Sequence, residues 1–356
     1  MTEVVDAPLS SESPASRPFL DVRDLRIHFP TDDGLVKSVD GLSFSLERGR
    51  TLGIVGESGS GKSVSSLGIM GLHRTTNAQV SGEIWLDGDE LVNAPADFVR
   101  RLRGRKMAMI FQDPLSSLHP YFKVGAQIIE AYRLYNDVSK KVARKHAVDL
   151  LGRVGIPSPD SRVDDYPHQF SGGMRQRAMI AMALACDPEL LIADEPTTAL
   201  DVTVQAEILD LIRGLQQEFG SAVIMITHDL GVIAELADDV LVMYGGKAVE
   251  HAPVREIFHA PEHPYTWGLL SSMPRMDRAR TERLLPVPGS PPSLSDLPGG
   301  CAFNPRCRYD VLTDGKALTE TPVLLPVPGK PGHSVACHLA AERRRKIWSE
   351  EVSPLL

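Results

Sequence analysis

The sequence contains no run of about 18 apolar residues, so none of its segments has the make-up of a membrane-spanning helix. It has no basic excess either: 38 Lys and Arg stand against 46 Asp and Glu, for a net charge of −8. That balance argues against a nucleic-acid partner, whose phosphates would need neutralising. Residues 1–18 (MTEVVDAPLSSESPASRP) are acidic and rich in Ser and Pro, with no apolar core of the kind a signal peptide carries. They read as a disordered tail, and the chain is expected to stay in the cytosol. There are only four cysteines. In a reducing compartment they suggest metal ligation or nothing, rather than disulfides. No internal repeat and no heptad run is present. What remains is an ordinary globular composition, 42% apolar over 356 residues, enough for about two domains.

One stretch stands out. Gly56-Glu57-Ser58-Gly59-Ser60-Gly61-Lys62-Ser63 fits G-x-x-x-x-G-K-[ST] at every position. The apolar TLGIV before it reads as a buried strand, and VSSLGIMGL after it reads as a helix. This is the setting in which the pattern cradles phosphate. Glycines let successive backbone N–H groups turn toward phosphate oxygens, and the helix N-terminus adds a favourable dipole. Lys62 is then placed for the β- and γ-phosphates, and Ser63 offers a hydroxyl to Mg²⁺.

Around this loop the chain reads as an α/β fold. Residues 19–29, 36–46 and 81–88 alternate apolar and polar and predict an antiparallel sheet, with Asp40-Gly41 as a turn. Phe29 is a candidate to stack on adenine, although an ordinary core role suits it equally. Buried strands are expected at 106–111, 189–193, 222–226, 239–243 and 246–250. Between about 113 and 188 the apolar spacing turns helical, predicting an inserted helical subdomain. Strands alternating with helices predict a largely parallel sheet. Ligands of such sheets bind beyond the carboxyl ends of the strands. There the sequence places Gln112, the pair Asp194 and Glu195, and His228. Each has a plain alternative as loop amide, helix cap or structural histidine. Together they can meet around one triphosphate. After residue 263 proline becomes frequent and helical spacing fades, predicting an extension of turns and short strands. In LAAERRRKIWSEE near the end, the basic run reads as a solvated helix face.

The order GESGSGKS, FQDP, FSGGMRQR, LLIADEPTTALD and ITHD resembles an ATP-binding-cassette ATPase over residues 19–262. The resemblance implies a phosphate-loop NTPase core with an antiparallel β subdomain and the helical insert. It implies a head-to-tail pair of cassettes with ATP shared between them. Residues 56–63 would hold the phosphates and Gln112 would touch Mg²⁺ and the attacking water. Asp194 would bind Mg²⁺, Glu195 would be the general base, and His228 would link the γ-phosphate to Glu195. Ser171, Gly172, Gly173 and Met174 would serve the partner's ATP, and Asp201 would lie in the loop crossing the interface. Phe170 stands where the family usually has leucine and Met174 where it has glutamine, and neither change removes a phosphate contact.

The extension carries HPYTWGLLSSMP, PGSPPSL, GCAFNPRC and VACH, and PLSSLHP follows Gln112. With these strings the chain is similar to ATP-binding subunits of bacterial oligopeptide/dipeptide importers over residues 19–338. That likeness implies two transmembrane permeases, a second cassette, an extracytoplasmic substrate-binding protein and a place on the cytoplasmic face of the membrane. The same group also serves importers of nickel and of oligosaccharides. It further implies a [4Fe–4S] iron–sulfur cluster held by Cys301, Cys307 and Cys337, with Asp314 where the fourth cysteine is expected. The alternative is a metal-free remnant fold. Cys186 reads as a core residue. A soluble cassette ATPase acting on nucleic acid or ribosomes is a rival reading, opposed by the acidic balance and the single cassette; an exporter is another, opposed by the extension.

Overall fold

The fold is taken from a computed structural model, which describes residues 17–32, 34–198, 200–273 and 287–356. Most of the expected N-terminal tail lies outside the described residues.

Alternating side chains build the first layer. Strands β1 (Leu20–Thr31) and β2 (Gly34–Leu46) form a hairpin, and β4 (Gln79–Leu86) with β5 (Asp89–Glu90) completes an antiparallel sheet in the order β2-β1-β4-β5. The expected turn at Asp40-Gly41 is not there. β2 runs straight through it, and the chain reverses between Thr31 and Gly34. The β1–β2 register steps from Leu25–Leu42 to Arg26–Asp40, so Gly41 is the extra residue of a bulge, at φ +90°. A bulge uses the same glycine freedom as a turn.

The second layer is the main sheet, in the order β11-β12-β10-β9-β3-β8-β7-β6. Its middle consists of β9 (Asp239–Tyr244), β3 (Thr51–Val55), β8 (Ala222–Ile226), β7 (Leu190–Asp194) and β6 (Met107–Ile110), all parallel. These strands are apolar without interruption because both faces are covered. Successive residues point to opposite faces. Leu52, Ile54, Ile192 and Ile224 join the core beneath the antiparallel sheet. Val55, Leu191, Ala193 and Val223 join the core on the other side, with the helices Val124–Tyr135, Lys140–Arg153 and Gly172–Ala183.

The extension belongs to that second core. β10 (Lys247–Pro253) is flanked by β12 (Ser334–Val335) and then β11 (Leu325–Pro326), all antiparallel. Residues Pro264–Ser271 form a helix where turns were expected, and Trp267, Phe303, Tyr309 and Trp348 sit in the same apolar cluster as the helical insert. Proline at the first helical position is the reason the segment can be proline-marked and still helical. The buried Glu250 ties the extension down. It accepts from the backbone N–H groups of Glu262 (2.5 Å) and His263 (3.1 Å) and from Thr266 Oγ1 (2.5 Å), with His333 Nε2 at 2.8 Å. The basic run is also not simply solvated. Arg344 is buried and donates to Glu262 at 2.8 Å, whereas Arg345 is exposed.

Candidate active site

The carboxyl ends of β3, β6, β7 and β8 bring four loops together. β3 runs straight into the phosphate loop, which ends in the helix Lys62–Ile69. Gly61 caps that helix at φ +99°, and a Cβ there would lie 2.3 Å from the Ser38 carbonyl oxygen. Only glycine allows this close approach of β2. Lys62 is buried, and its Nζ donates to the carbonyls of Gly56 (2.7 Å) and Glu57 (2.9 Å), with Ser60 Oγ at 3.5 Å. Ser58 and Gly59 are the exposed tip of the loop.

Ser63 Oγ donates to Asp194 Oδ1 at 3.0 Å. Asp194 ends β7 and is 6% exposed. Burial raises its pKa, and the neighbouring Glu195 adds to the rise, against the Ser63 hydrogen bond and Lys62. Burial lowers the pKa of Lys62, against the pull of Glu195, Asp194 and Glu57. The two charges are thus both held out of water without full compensation, so the carboxylate gains from a cation and the ammonium from an anion. Hard oxygen donors of this kind fit Mg²⁺ bound together with a phosphate ligand.

Glu195 follows β7 in the left-handed region, at φ +47°. Such backbone in a non-glycine residue marks a place where side-chain direction is bought with strain. Its Oε2 accepts from Gln112 Nε2 at 2.9 Å and from Thr198 Oγ1 at 2.8 Å. His228 Nδ1 is 3.6 Å from Oε1, and its side chain is largely exposed. That is longer than a hydrogen bond. The site therefore holds two directly bonded pairs, Ser63–Asp194 and Gln112–Glu195, on adjacent residues at the end of β7, with Lys62 in electrostatic reach of both carboxylates and His228 alongside. Thr198 was not singled out from the sequence, although it lies only three residues beyond Glu195 in LLIADEPTTALD. Tyr265 and Arg306, which hold Glu57, lie in HPYTWGLLSSMP and GCAFNPRC, but those strings gave no sign of a contact with the phosphate loop.

The remaining candidates lie apart from this centre. Phe29 is half-buried on β1, its ring edge-on to His73 at 5.4 Å, and pairs with Val36 of the strand that touches Gly61. Ser171 caps the helix Gly172–Ala183 by accepting from the Met174 N–H at 3.3 Å, and Ser171 and Gly172 are exposed. Gly173 and Met174 are half-buried behind them. Asp201 caps the helix Val202–Phe219, accepting from Val204 N–H at 3.0 Å.

Three of the four cluster candidates come together and the fourth does not. Cys301, Cys307 and Cys337 line one cavity of about 20 Å³, room for about one water molecule and not for eight cluster atoms. Asp314 lies outside that cavity, exposed at φ +52°. Among the described residues no three His, Cys, Asp or Glu side chains could hold a metal ion. Burial raises all three thiols, Cys307 to about 11 and Cys337 to about 12. Cys186 packs on the core, its thiol 3.6 Å from the Ala131 carbonyl oxygen. No helix among the described residues is long and apolar enough to cross a membrane.

Comparison with known proteins identifies the family. The ABC transporter family model matches residues 39–198, and the model for the oligopeptide/dipeptide transporter C-terminal region matches residues 249–312. The oligopeptide transport ATP-binding protein OppD of Haemophilus influenzae is 51% identical over 292 residues, 82% of this chain and 90% of that one. The OppD protein of Escherichia coli is 48% identical over 332 residues, 92% of this chain and 97% of that one. A dimeric ATP-binding cassette solved in a post-hydrolysis state with ADP and Pi superposes with a TM-score of 0.60 at 24% identity, covering 66% of this chain and 99% of that one. CbiO1 of Clostridium perfringens, part of an ABC transporter complex, gives 0.59 at 27% identity, covering 69% of this chain and 92% of that one. The chain belongs to the ABC transporter ATPases, among the oligopeptide transport ATP-binding proteins.

Proposed function

We propose that this chain is the ATP-hydrolysing, energy-coupling subunit of an importer for oligopeptides or dipeptides. The observation that carries the catalytic part is Glu195, held at the end of β7 by Gln112 and Thr198, beside the Ser63–Asp194 pair. The peptide part rests on the oligopeptide transport named for the relatives and on the matching C-terminal region.

Residues 56–63 bind the triphosphate, with Lys62 as the buried cation and Phe29 against the base. Ser63, Asp194 and Gln112 would hold Mg²⁺, which draws charge from the β- and γ-phosphates when bound. Glu195 takes the proton of the attacking water as general base, and Gln112 orients that carboxylate. His228 closes toward the γ-phosphate and Glu195. The exposed N-terminus of the helix Gly172–Ala183, with Ser171, faces the ATP of a second cassette, because helix N–H groups suit phosphate. Asp201 lies near that interface. Isolated monomers are then poor ATPases, since half of each site comes from the other cassette.

In this reading the chain sits at the cytoplasmic face of the membrane on two permease subunits, with a substrate-binding protein outside and no nucleic-acid partner. The test is reconstitution with the permeases and the binding protein in vesicles. ATP-dependent uptake of labelled oligopeptide is expected. Uptake of nickel or an oligosaccharide instead, with none of peptide, would transfer the same machinery to another cargo.

A further inference from the structure

Among the described residues, the hydrogen bonds of the C-terminal extension to the phosphate loop converge on Glu57. The guanidinium of Arg306 forks onto it, Nη1 to Oε2 at 2.6 Å and Nη2 to Oε1 at 3.0 Å. Two parallel bonds fix position as well as charge. Glu57 backbone N–H donates to Tyr265 Oη at 2.8 Å. The carbonyl of Glu57 in turn accepts from Lys62 Nζ at 2.9 Å. Arg306 itself is fixed on every side. Its Nε donates to the Pro288 carbonyl at 2.7 Å, Nη1 to Tyr244 Oη at 3.2 Å and Nη2 to the Gly289 carbonyl at 3.3 Å. Its side chain is only 4% exposed, in the turn between Cys301 and Cys307. Neither the loop pattern nor the extension's own strings assign this contact a task.

We infer that Arg306 is a positioning residue for ATP binding: its fork on Glu57 fixes the peptide that holds Lys62, and it neutralises the one carboxylate of the phosphate loop. Without the guanidinium, Glu57 is a free negative charge beside an incoming triphosphate, and the Lys62 anchor loses its support. The effect falls on nucleotide binding, since the fork touches neither Glu195 nor Gln112. The inference rests on the loop being the ATP site.

The experiment uses the assembled transporter complex and compares wild type, Arg306→Met, Glu57→Gln, the double variant and Lys62→Ala. Arg306→Met is expected to raise the KM for ATP about tenfold or more while kcat stays within about twofold. The double variant is expected to recover most of that KM, because the unpaired carboxylate is gone. A packing role alone predicts a double variant at least as impaired as Arg306→Met. An unchanged KM, or no recovery in the double variant, overturns the proposal. If Arg306→Met does not assemble, Arg306→Gln takes its place, since it too loses both the charge and the fork; a wild-type KM then overturns it equally. Lys62→Ala separates the two levels: hydrolysis that survives it refutes the loop as the ATP site, and hydrolysis that it abolishes leaves Arg306 alone on trial.

Discussion

Glu250 offers the sharpest test of how the extension is attached. It is fully buried, and its two oxygens serve four groups: Oε1 takes the Glu262 N–H and His333, and Oε2 takes the His263 N–H and Thr266. Glu250→Ala strands all four. An unsatisfied buried donor costs about 1–3 kcal/mol, so four stranded groups should cost at least about 4 kcal/mol after allowing for non-additivity. Glu250→Gln is milder, for a reason that can be read from the partners. With the amide NH₂ at the Oε2 place, it meets one fixed donor, the His263 N–H, while the Thr266 hydroxyl can turn to accept. With it at the Oε1 place, it meets the Glu262 N–H, while His333 can change tautomer. Either way one donor–donor clash remains, worth about 1–3 kcal/mol. Urea denaturation followed by tryptophan fluorescence reads this region locally. Trp267 Nε1 donates to the Pro261 carbonyl and Trp348 Nε1 to the His259 carbonyl, both at 3.0 Å. An alanine variant that loses less than about 1.5 kcal/mol, or a glutamine variant no better than alanine, would refute the assignment of Glu250 as the tie.

Three further outcomes follow from the geometry. Gly61→Ala forces a Cβ to 2.3 Å from the Ser38 oxygen at φ +99°; strain of roughly 1–3 kcal/mol should weaken ATP affinity about 5- to 150-fold, and a titration within about twofold of wild type would contradict this. His263 is buried and its pKa is lowered from 6.5 to about 4, so between those values the unfolded chain binds the proton that the folded chain refuses. Stability is present above pH 6.5 and drains away toward pH 4, by roughly 3 kcal/mol from this group; His263→Asn should flatten the fall between pH 7 and 4.5, and an unchanged slope would exclude it. Protein purified without oxygen should carry no stoichiometric iron and no visible absorbance, given the cavity of about 20 Å³ at the three cysteines; four irons per chain would reverse that conclusion.

Much of the site was legible because its residues follow strands whose apolar runs are unmistakable. TLGIV, ELLIA and AVIMI are buried on both faces, and whatever follows them lands on one edge of the sheet. Gln112, Asp194, Glu195 and His228 lie at or just past the ends of β6, β7 and β8 for that reason. Asp40-Gly41 was misread because a glycine bulge and a glycine turn look alike locally, and only the partner strand's register separates them. In the basic tail Arg343, Arg345 and Lys346 are exposed as expected, but charge patterning cannot show that Glu262, 82 residues earlier, waits for Arg344. Arg306 and Glu57 are 249 residues apart. Cys301, Cys307 and Cys337 have the spacing of a ligand set, yet spacing does not reveal the size of the cavity between them or the outward turn of Asp314.

The central claim is that Glu195 is the base for ATP hydrolysis. The direct measurement is steady-state ATP turnover of the assembled complex carrying Glu195→Gln, a change that keeps the contact with Gln112 and removes the basicity. Turnover is expected to fall by about 10²–10⁴ with ATP affinity retained. Turnover within about threefold of wild type would assign the proton to another group and contradict the account.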